Sequence, residues 1–177
     1  MSKQILVLAG SPRKGGNSDK LCDQFIKGSI ESGNTAEKIY VHKQEIKSCM
    51  GCHYCMDRST CVQKDDMESI LDKMINADVI VLSTPVYFYS MDGQMKTLID
   101  RTFPRYTEIK NKDFYFIATA ADGKDYMERT IDGLRGFTDC LPDAKVKGIV
   151  YGYGVGKIGD IEGTKAMDEA YVLGKGI

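Results

Sequence analysis

Long runs of like charge, long apolar stretches, internal repeats and low-complexity linkers are all missing from this 177-residue sequence. Its 24 Lys+Arg against 25 Asp+Glu leave a formal charge of −1. Without a basic patch, a dedicated nucleic-acid binder or a protein docking on acidic membranes is not expected. No apolar stretch approaches the ~18 residues needed to cross a bilayer. Met1-Ser2-Lys3 runs straight into a strand-like segment, with no apolar region or small-residue cleavage site, so a cytoplasmic location is expected. Histidine is scarce, with only His42 and His53. No Ser or Cys lies in a nucleophile-elbow sequence, and too few carboxylates accompany a second histidine. Hydrolytic triads and hydrolytic metal sites are therefore not expected.

What is there is ordinary globular usage, 42% hydrophobic and 28% charged. The length predicts one domain, spanning 1–177, with a core that needs no disulfide or metal staple. Cysteine is the exception. Six are present, and Cys49, Cys52, Cys55 and Cys61 crowd into one short segment. In a chain read as cytoplasmic, this points to metal binding or redox chemistry before structural disulfides.

Ile5 to Ala9, Val79 to Ser83 and Phe114 to Ala120 are continuous apolar runs, the pattern of strands covered on both faces of a parallel sheet. Thr35 to Val41 and Val146 to Tyr151 supply two more strands. Helical spacing marks the segments between them: Leu21, Cys22, Phe25, Ile26 and Ile30; Met67, Ile70, Leu71, Met74 and Ile75; Met91, Met95, Leu98 and Ile99. Asp65 and Glu68 have capping-box spacing. Further helices are expected from about Tyr126 to Cys140 and from Thr164, the latter carrying Met167, Ala170, Tyr171 and Leu173. Cys22 and Cys140 read as core thiols. Gly-rich 152–163 is the one candidate flexible stretch. The regular strand–helix alternation predicts a three-layer α/β/α sandwich with parallel strands and right-handed crossovers.

Ligands of such sheets bind beyond the carboxyl ends of the strands. Three loops leave that edge: 10–18, 84–91 and 119–124. The first offers the Ser11 and Ser18 hydroxyls, the Arg13 cation, the Asn17 amide and permissive glycines, and it opens a helix whose N-terminus favours phosphate. It is neither a Walker A loop nor a Gly-x-Gly-x-x-Gly fingerprint, and a plain Gly-rich turn with a Ser or Asn cap is the alternative. The second loop sets Tyr87, Phe88 and Tyr89 behind Pro85, as flat apolar walls for a planar ring or as packing under a loop or at a subunit contact.

Together, Gly10-Ser11-Pro12-Arg13-Lys14-Gly15-Gly16-Asn17-Ser18, Thr84-Pro85-Val86-Tyr87, Gly93-Gln94-Met95-Lys96 and Ile99-Asp100-Arg101 resemble the flavodoxin-like NADPH-dependent FMN reductases. The cysteines make the iron–sulfur flavoprotein branch the nearest in pattern. The resemblance implies a five-stranded sheet in the flavodoxin order 2-1-3-4-5, with FMN at its carboxyl edge. It implies that Ser11, Arg13, Asn17 and Ser18 hold the phosphate, and that Pro85, Val86, Tyr87 and Phe88 flank the isoalloxazine. Thr119, Ala120, Ala121 and Asp122 would close the other side, although Ala120-Ala121-Asp122-Gly123 departs from the family's glycine-rich turn there. It also implies dimer contacts for the helix carrying Lys96, Asp100 and Arg101, and a homodimer or homotetramer. Read as residues alone, these three charges are a solvated helix face or i,i+4 pairs.

The spacing Cys-x2-Cys-x2-Cys-x5-Cys is tighter than the two separated knuckles of a structural zinc site. The resemblance implies a [4Fe–4S] cluster on Cys49, Cys52, Cys55 and Cys61; free or disulfide thiols and zinc are the alternatives. The function expected is FMN-dependent oxidation and reduction with NAD(P)H as donor. With no pyridine-nucleotide motif in the chain, nicotinamide would visit the exposed flavin face. A non-catalytic electron carrier with a ferredoxin-like partner is the second reading, and a zinc-stabilised binding protein without flavin the third. No protein side chain is assigned a catalytic role, because the flavin carries the chemistry.

Overall fold

The computed structural model describes residues 2–177, and Met1 lies outside them. Five parallel strands, β1 (Gln4–Ala9), β2 (Thr35–Tyr40), β3 (Val79–Tyr87), β5 (Asp113–Thr119) and β6 (Lys145–Gly152), lie in the order β2-β1-β3-β5-β6. A two-residue strand, β4 (Ser90–Met91), turns back antiparallel on the end of β3. Leaving that hairpin aside, the expected flavodoxin order is the observed one, with helices on both faces.

The apolar runs are continuous because alternate residues serve opposite layers. Leu6, Leu8, Ile80, Leu82, Phe114 and Phe116 pack with α2 (Met67–Asn76), α3 (Gly93–Asp100) and α4 (Glu128–Thr138). Ile5, Val7, Val79, Val81, Tyr115 and Ile117 pack with α1 (Asn17–Glu31) and α5 (Lys165–Lys175).

Several expectations need correction. Ile30 is 54% exposed; the buried side of α1 continues instead through Gly28 and Ser29, where α5 presses too close for an apolar side chain. Cys140 is exposed, its thiol donating only to the Gly136 carbonyl past the end of α4. Met91 is buried from β4 rather than from a helix. β3 runs on through Thr84, Pro85, Val86 and Tyr87, because these residues pair with β5 or β4. The N-cap position of α2 falls on Asp66, which makes no side-chain cap bond; Asp65 accepts from Met67 N at 3.2 Å and pairs with Arg101. The Gly-rich stretch 152–163 is laced down by hydrogen bonds, as described below.

Candidate functional site

At the carboxyl edge of the sheet, Gly10 follows β1 and donates its N–H to the Ser83 carbonyl of β3 at 2.8 Å. It can carry no side chain, since a Cβ would stand 2.9 Å from Cγ and Oδ1 of Asp92, with Oδ2 closer still. Asp92 is wholly buried at the N-cap of α3. Its Oδ1 accepts from Met95 N at 2.9 Å, and its Oδ2 accepts from the Thr84 hydroxyl at 2.7 Å. Burial pushes its carboxyl up, against the hydrogen bonds from Thr84 and Met95. One buried acid thus braces the first loop against the second.

The first loop closes on itself where Gly16 N donates to the Arg13 carbonyl at 3.0 Å and Gly15 takes φ +70. Gly15 N donates to Oδ2 of Asp19, a buried carboxylate that also meets Lys38 Nζ at 2.6 Å. The N-cap of α1 is Gly16, which offers no side-chain cap, so the first N–H groups of the helix stay free for another acceptor. Ser11 and Ser18 are buried, and the Ser11 hydroxyl accepts from Arg13 N at 3.2 Å. Arg13 is exposed, with Nη1 3.5 Å from the Gly156 carbonyl.

Asn17 holds the opposite wall. Its Nδ2 donates to the carbonyls of Val155 (3.2 Å) and Lys157 (2.9 Å), and its Oδ1 accepts from Gly159 N (3.2 Å) and Ile161 N (3.4 Å). Asp160 adds bonds from Gly156 N and Lys157 N. The third loop is tied to the same wall: Val155 N donates to the Ala120 carbonyl and Gly154 N to that of Asp122.

These loops enclose one cleft of about 250 Å³. Ser11, Arg13, Asn17, Ser18, Pro85, Val86, Tyr87, Thr119, Ala120 and Ala121 line it, joined by Val155 and Gly156. Ten of the twelve residues named from the sequence therefore meet in one place. Phe88 and Asp122 do not line it. Phe88 is fully exposed at the tip of the β3–β4 hairpin, and Asp122 is an exposed loop residue. Val155 and Gly156 were missed; the only signal for them was the glycine density of 152–163. Phe88 (φ +49) and Tyr89 (φ +62) hold both central turn positions in the left-handed region, where Asn-Gly is the usual occupant.

The cysteine loop lies between β2 and α2. Cys49 and Cys52 are exposed, Cys55 and Cys61 half-buried. Backbone N–H groups already point at two sulfurs, Gly51 N at Cys49 and Gln63 N at Cys61. Burial, and then the neighbouring side chains of Cys61, Cys49 and Cys52, push the Cys55 thiol up. Four soft donors, two of them with N–H groups aimed at their sulfurs, suit a soft cation or an iron–sulfur cluster in kind. Among the described residues, however, no three His, Cys, Asp or Glu side chains are gathered in metal-holding geometry. His53, at φ +60, sets its Nδ1 3.1 Å from the Met56 sulfur.

Arg101 departs from expectation. Lys96 and Asp100 do form an exposed i,i+4 pair at 2.6 Å, but Arg101 is 2% exposed and pairs in bidentate fashion with Asp65. Its Nη1 lies 2.7 Å from Oδ2 and its Nη2 2.9 Å from Oδ1. Burial pushes the Asp65 carboxyl up, but the Arg101 bonds and the N–H groups of Lys47 and Met67 more than reverse this. The carboxyl ends below its usual range.

A parallel flavodoxin-like sheet with a cleft at its carboxyl edge, walled by a Ser- and Arg-bearing loop, defines the class. The family model of the NADPH-dependent FMN reductases matches residues 4–138, and the chain belongs to that family. It is 39% identical over 97 residues to an iron–sulfur flavoprotein of Archaeoglobus fulgidus, covering 55% of this chain and 44% of that one. It is 33% identical over 136 residues to an iron–sulfur flavoprotein of Methanocaldococcus jannaschii, covering 76% and 70%. The chain thus spans less than half the length of the first of these relatives. In fold it resembles an NAD(P)H:quinone oxidoreductase from Methanothermobacter marburgensis, with TM-score 0.72, 14% identity, and coverage of 99% of this chain and 96% of that one. Among the described residues, no helix is long and apolar enough to cross a membrane.

Proposed function

We propose that residues 1–177 form one FMN-binding domain that takes reducing equivalents from NAD(P)H and passes them to an acceptor. The observation that carries this reading is the single cleft in which a Ser- and Arg-bearing loop, an uncapped helix N-terminus and the Pro85–Tyr87 wall converge. Ser11, Arg13 and Ser18 are the phosphate ligands, joined by the backbone N–H groups that open α1. Asn17 serves mainly by holding the 155–161 wall, since its side-chain bonds go there. Pro85, Val86 and Tyr87 flank the ring on one side, and Thr119, Ala120 and Ala121 on the other. When bound, FMN supplies the oxidation–reduction chemistry; the chain binds it, orients it and leaves one face open to nicotinamide.

The residues present suit this cofactor. A phosphate needs N–H donors and a cation, and the helix N-terminus with Arg13 offers both. The test is affinity: FMN should bind far more tightly than riboflavin, and Arg13→Ala with Ser11→Ala should erase most of that difference. Equal binding of the two flavins by the parent would overturn the phosphate loop. NAD(P)H oxidation by the flavin-loaded protein then separates a reductase from a carrier reduced only by a ferredoxin-like partner.

The cysteine loop favours a second element of the same reading, one-electron transfer through an iron–sulfur cluster on Cys49, Cys52, Cys55 and Cys61. What supports it is the set of four soft donors and the N–H groups facing Cys49 and Cys61. When bound, such a cluster passes single electrons. Iron and acid-labile sulfide per FMN in anaerobically purified protein decide between cluster, zinc and free thiols. A homodimer or homotetramer, and a cytoplasmic setting, complete the proposal.

A further inference from the structure

We propose that Asp92 is the positioning residue of the ring-flanking segment Pro85–Tyr87 and acts as the neutral acid: its O–H donates to the Thr84 hydroxyl, which donates in turn to the Pro85 carbonyl. The inference rests on the FMN-domain reading above and deepens it. Thr84 and Asp92 close the base of the β3–β4 hairpin, where Asp92 N donates to Thr84 Oγ1 at 2.9 Å. Pro85, Val86 and Tyr87, which line the cleft, lie inside the segment so closed. At Thr84 and Pro85 the strand still pairs with β5, and at Val86 and Tyr87 it pairs with β4. Proline brings no N–H to this change of partner, so a bond to its carbonyl carries more of the placement.

The proton count decides the state of the acid. Thr84 Oγ1 lies 2.7 Å from Asp92 Oδ2 and 2.8 Å from the Pro85 carbonyl oxygen. A hydroxyl has one proton, while a carboxylate and a carbonyl only accept. With Asp92 ionised, Thr84 donates to Oδ2 and the short contact to Pro85 holds no hydrogen. With Asp92 neutral, both contacts are hydrogen bonds. Thr84 Oγ1 then accepts from the N–H and the O–H of Asp92 and donates once, which is its full capacity. Oδ1 accepts from Met95 N in either state.

The surroundings favour the neutral form. Asp92 is wholly buried, and the charged groups around it are engaged elsewhere. On α3, Lys96 pairs with Asp100, and Arg101 pairs with Asp65. Arg129 of α4 lies over the Tyr89 ring, and Arg13 reaches towards the Gly156 carbonyl. His42 lines a separate cavity with Gly93 and Gln94, and Gly10 presents only backbone. The N–H groups of Met95 and Gln94 at the start of α3 favour an anion, but burial outweighs them and the carboxyl lies above its usual range.

Carbon NMR of the apoprotein tests the acid. At about pH 5, where an ordinary aspartate of pKa about 3.9 is ionised, the Asp92 carboxyl carbon should keep the shift of a neutral acid. A signal that titrates with the exposed aspartates overturns the neutral form. Urea midpoints read the same state. Because the folded pKa is raised, the parent should lose stability relative to Asp92→Asn as pH rises above about 4, and the opposite slope overturns the assignment.

FMN affinity tests the positioning. Asp92→Ala should weaken FMN binding by roughly tenfold, the worth of one buried hydrogen bond. Asp92→Asn should restore it, since its amide N–H donates to Thr84 while its oxygen accepts from Met95 N. Binding by Asp92→Asn as weak as by Asp92→Ala, or by Asp92→Ala as tight as by the parent, overturns the role. If Asp92→Ala does not fold, Thr84→Val takes its place, with Thr84→Ser as the rescue that keeps the hydroxyl. A parent that binds no FMN overturns the proposed function alone, since the carbon shift and the urea slope still judge the acid in the apoprotein.

Discussion

Gly174 of α5 lies directly against the backbone of Phe25 in α1: a Cβ there would stand 2.8 Å from the Phe25 carbonyl carbon and closer still to its oxygen. Gly28 is as tightly placed, 2.8 Å from the Lys175 nitrogen and nearer to the Tyr171 carbonyl. The two helices cross where neither has a side chain. Gly174→Ala should therefore destabilise the protein by about 3 kcal/mol or more, since packed backbones cannot yield to an added carbon. Gly136→Ala in α4, where a Cβ meets nothing within 4 Å, should stabilise by about 0.5–1 kcal/mol. Urea unfolding of the two variants checks the contrast; equal effects would mean that the crossing is looser than described.

Replacing Phe88-Tyr89 by Asn-Gly should stabilise the β3–β4 hairpin by about 1 kcal/mol or more, because two bulky residues leave the left-handed region. FMN affinity should change little, as Phe88 does not line the cleft. A large loss of FMN binding would return Phe88 to the ring-flanking role expected from the sequence.

Acid should release the Arg101–Asp65 pair. A carboxylate whose folded pKa is lowered stabilises the fold above its unfolded pKa and loses that contribution as pH falls through the folded value. Asp65→Asn should cost about 3–5 kcal/mol at neutral pH, where it strands Arg101 without its counter-charge. Urea midpoints of parent and variant should differ widely at pH 7 and draw together in strong acid.

Cys22 is buried, and its thiol is pushed up to about 12, chiefly by that burial. It should resist iodoacetamide in the native protein at pH 8 and react only on unfolding. Cys49, Cys52 and Cys140, all exposed, should be labelled readily in the metal-free protein. Rapid native labelling of Cys22 would show that α1 opens away from the sheet.

The strands were legible because each carries a continuous apolar run, and two covered faces leave little alternative. The cleft was legible because its loops follow those strands at one edge. What could not be read is whatever joins residues far apart in sequence. Nothing near Arg101 announces Asp65, so a charge on a short helix reads as solvated. Nor does anything near Asn17 announce Val155 or Ile161, so the grip of its amide on the 155–161 wall is not visible in the sequence. Ile30 fits the periodicity of α1 but loses its place to Gly28, because the α1–α5 crossing follows backbone proximity rather than hydropathy.

The α1–α5 crossing also bears on the order in which the molecule is assembled. Glu31 and Tyr171, whose side chains meet across it, are separated by 140 residues of chain. A ribosome making the protein releases α1 long before α5 exists, so Leu21, Cys22 and Phe25 gain only part of their cover while synthesis continues. The clamp on the cleft waits equally long, because Asn17 must hold carbonyls and amides from 155–161. The nascent chain thus carries an unfinished pocket and a half-covered helix until residues 155–177 emerge.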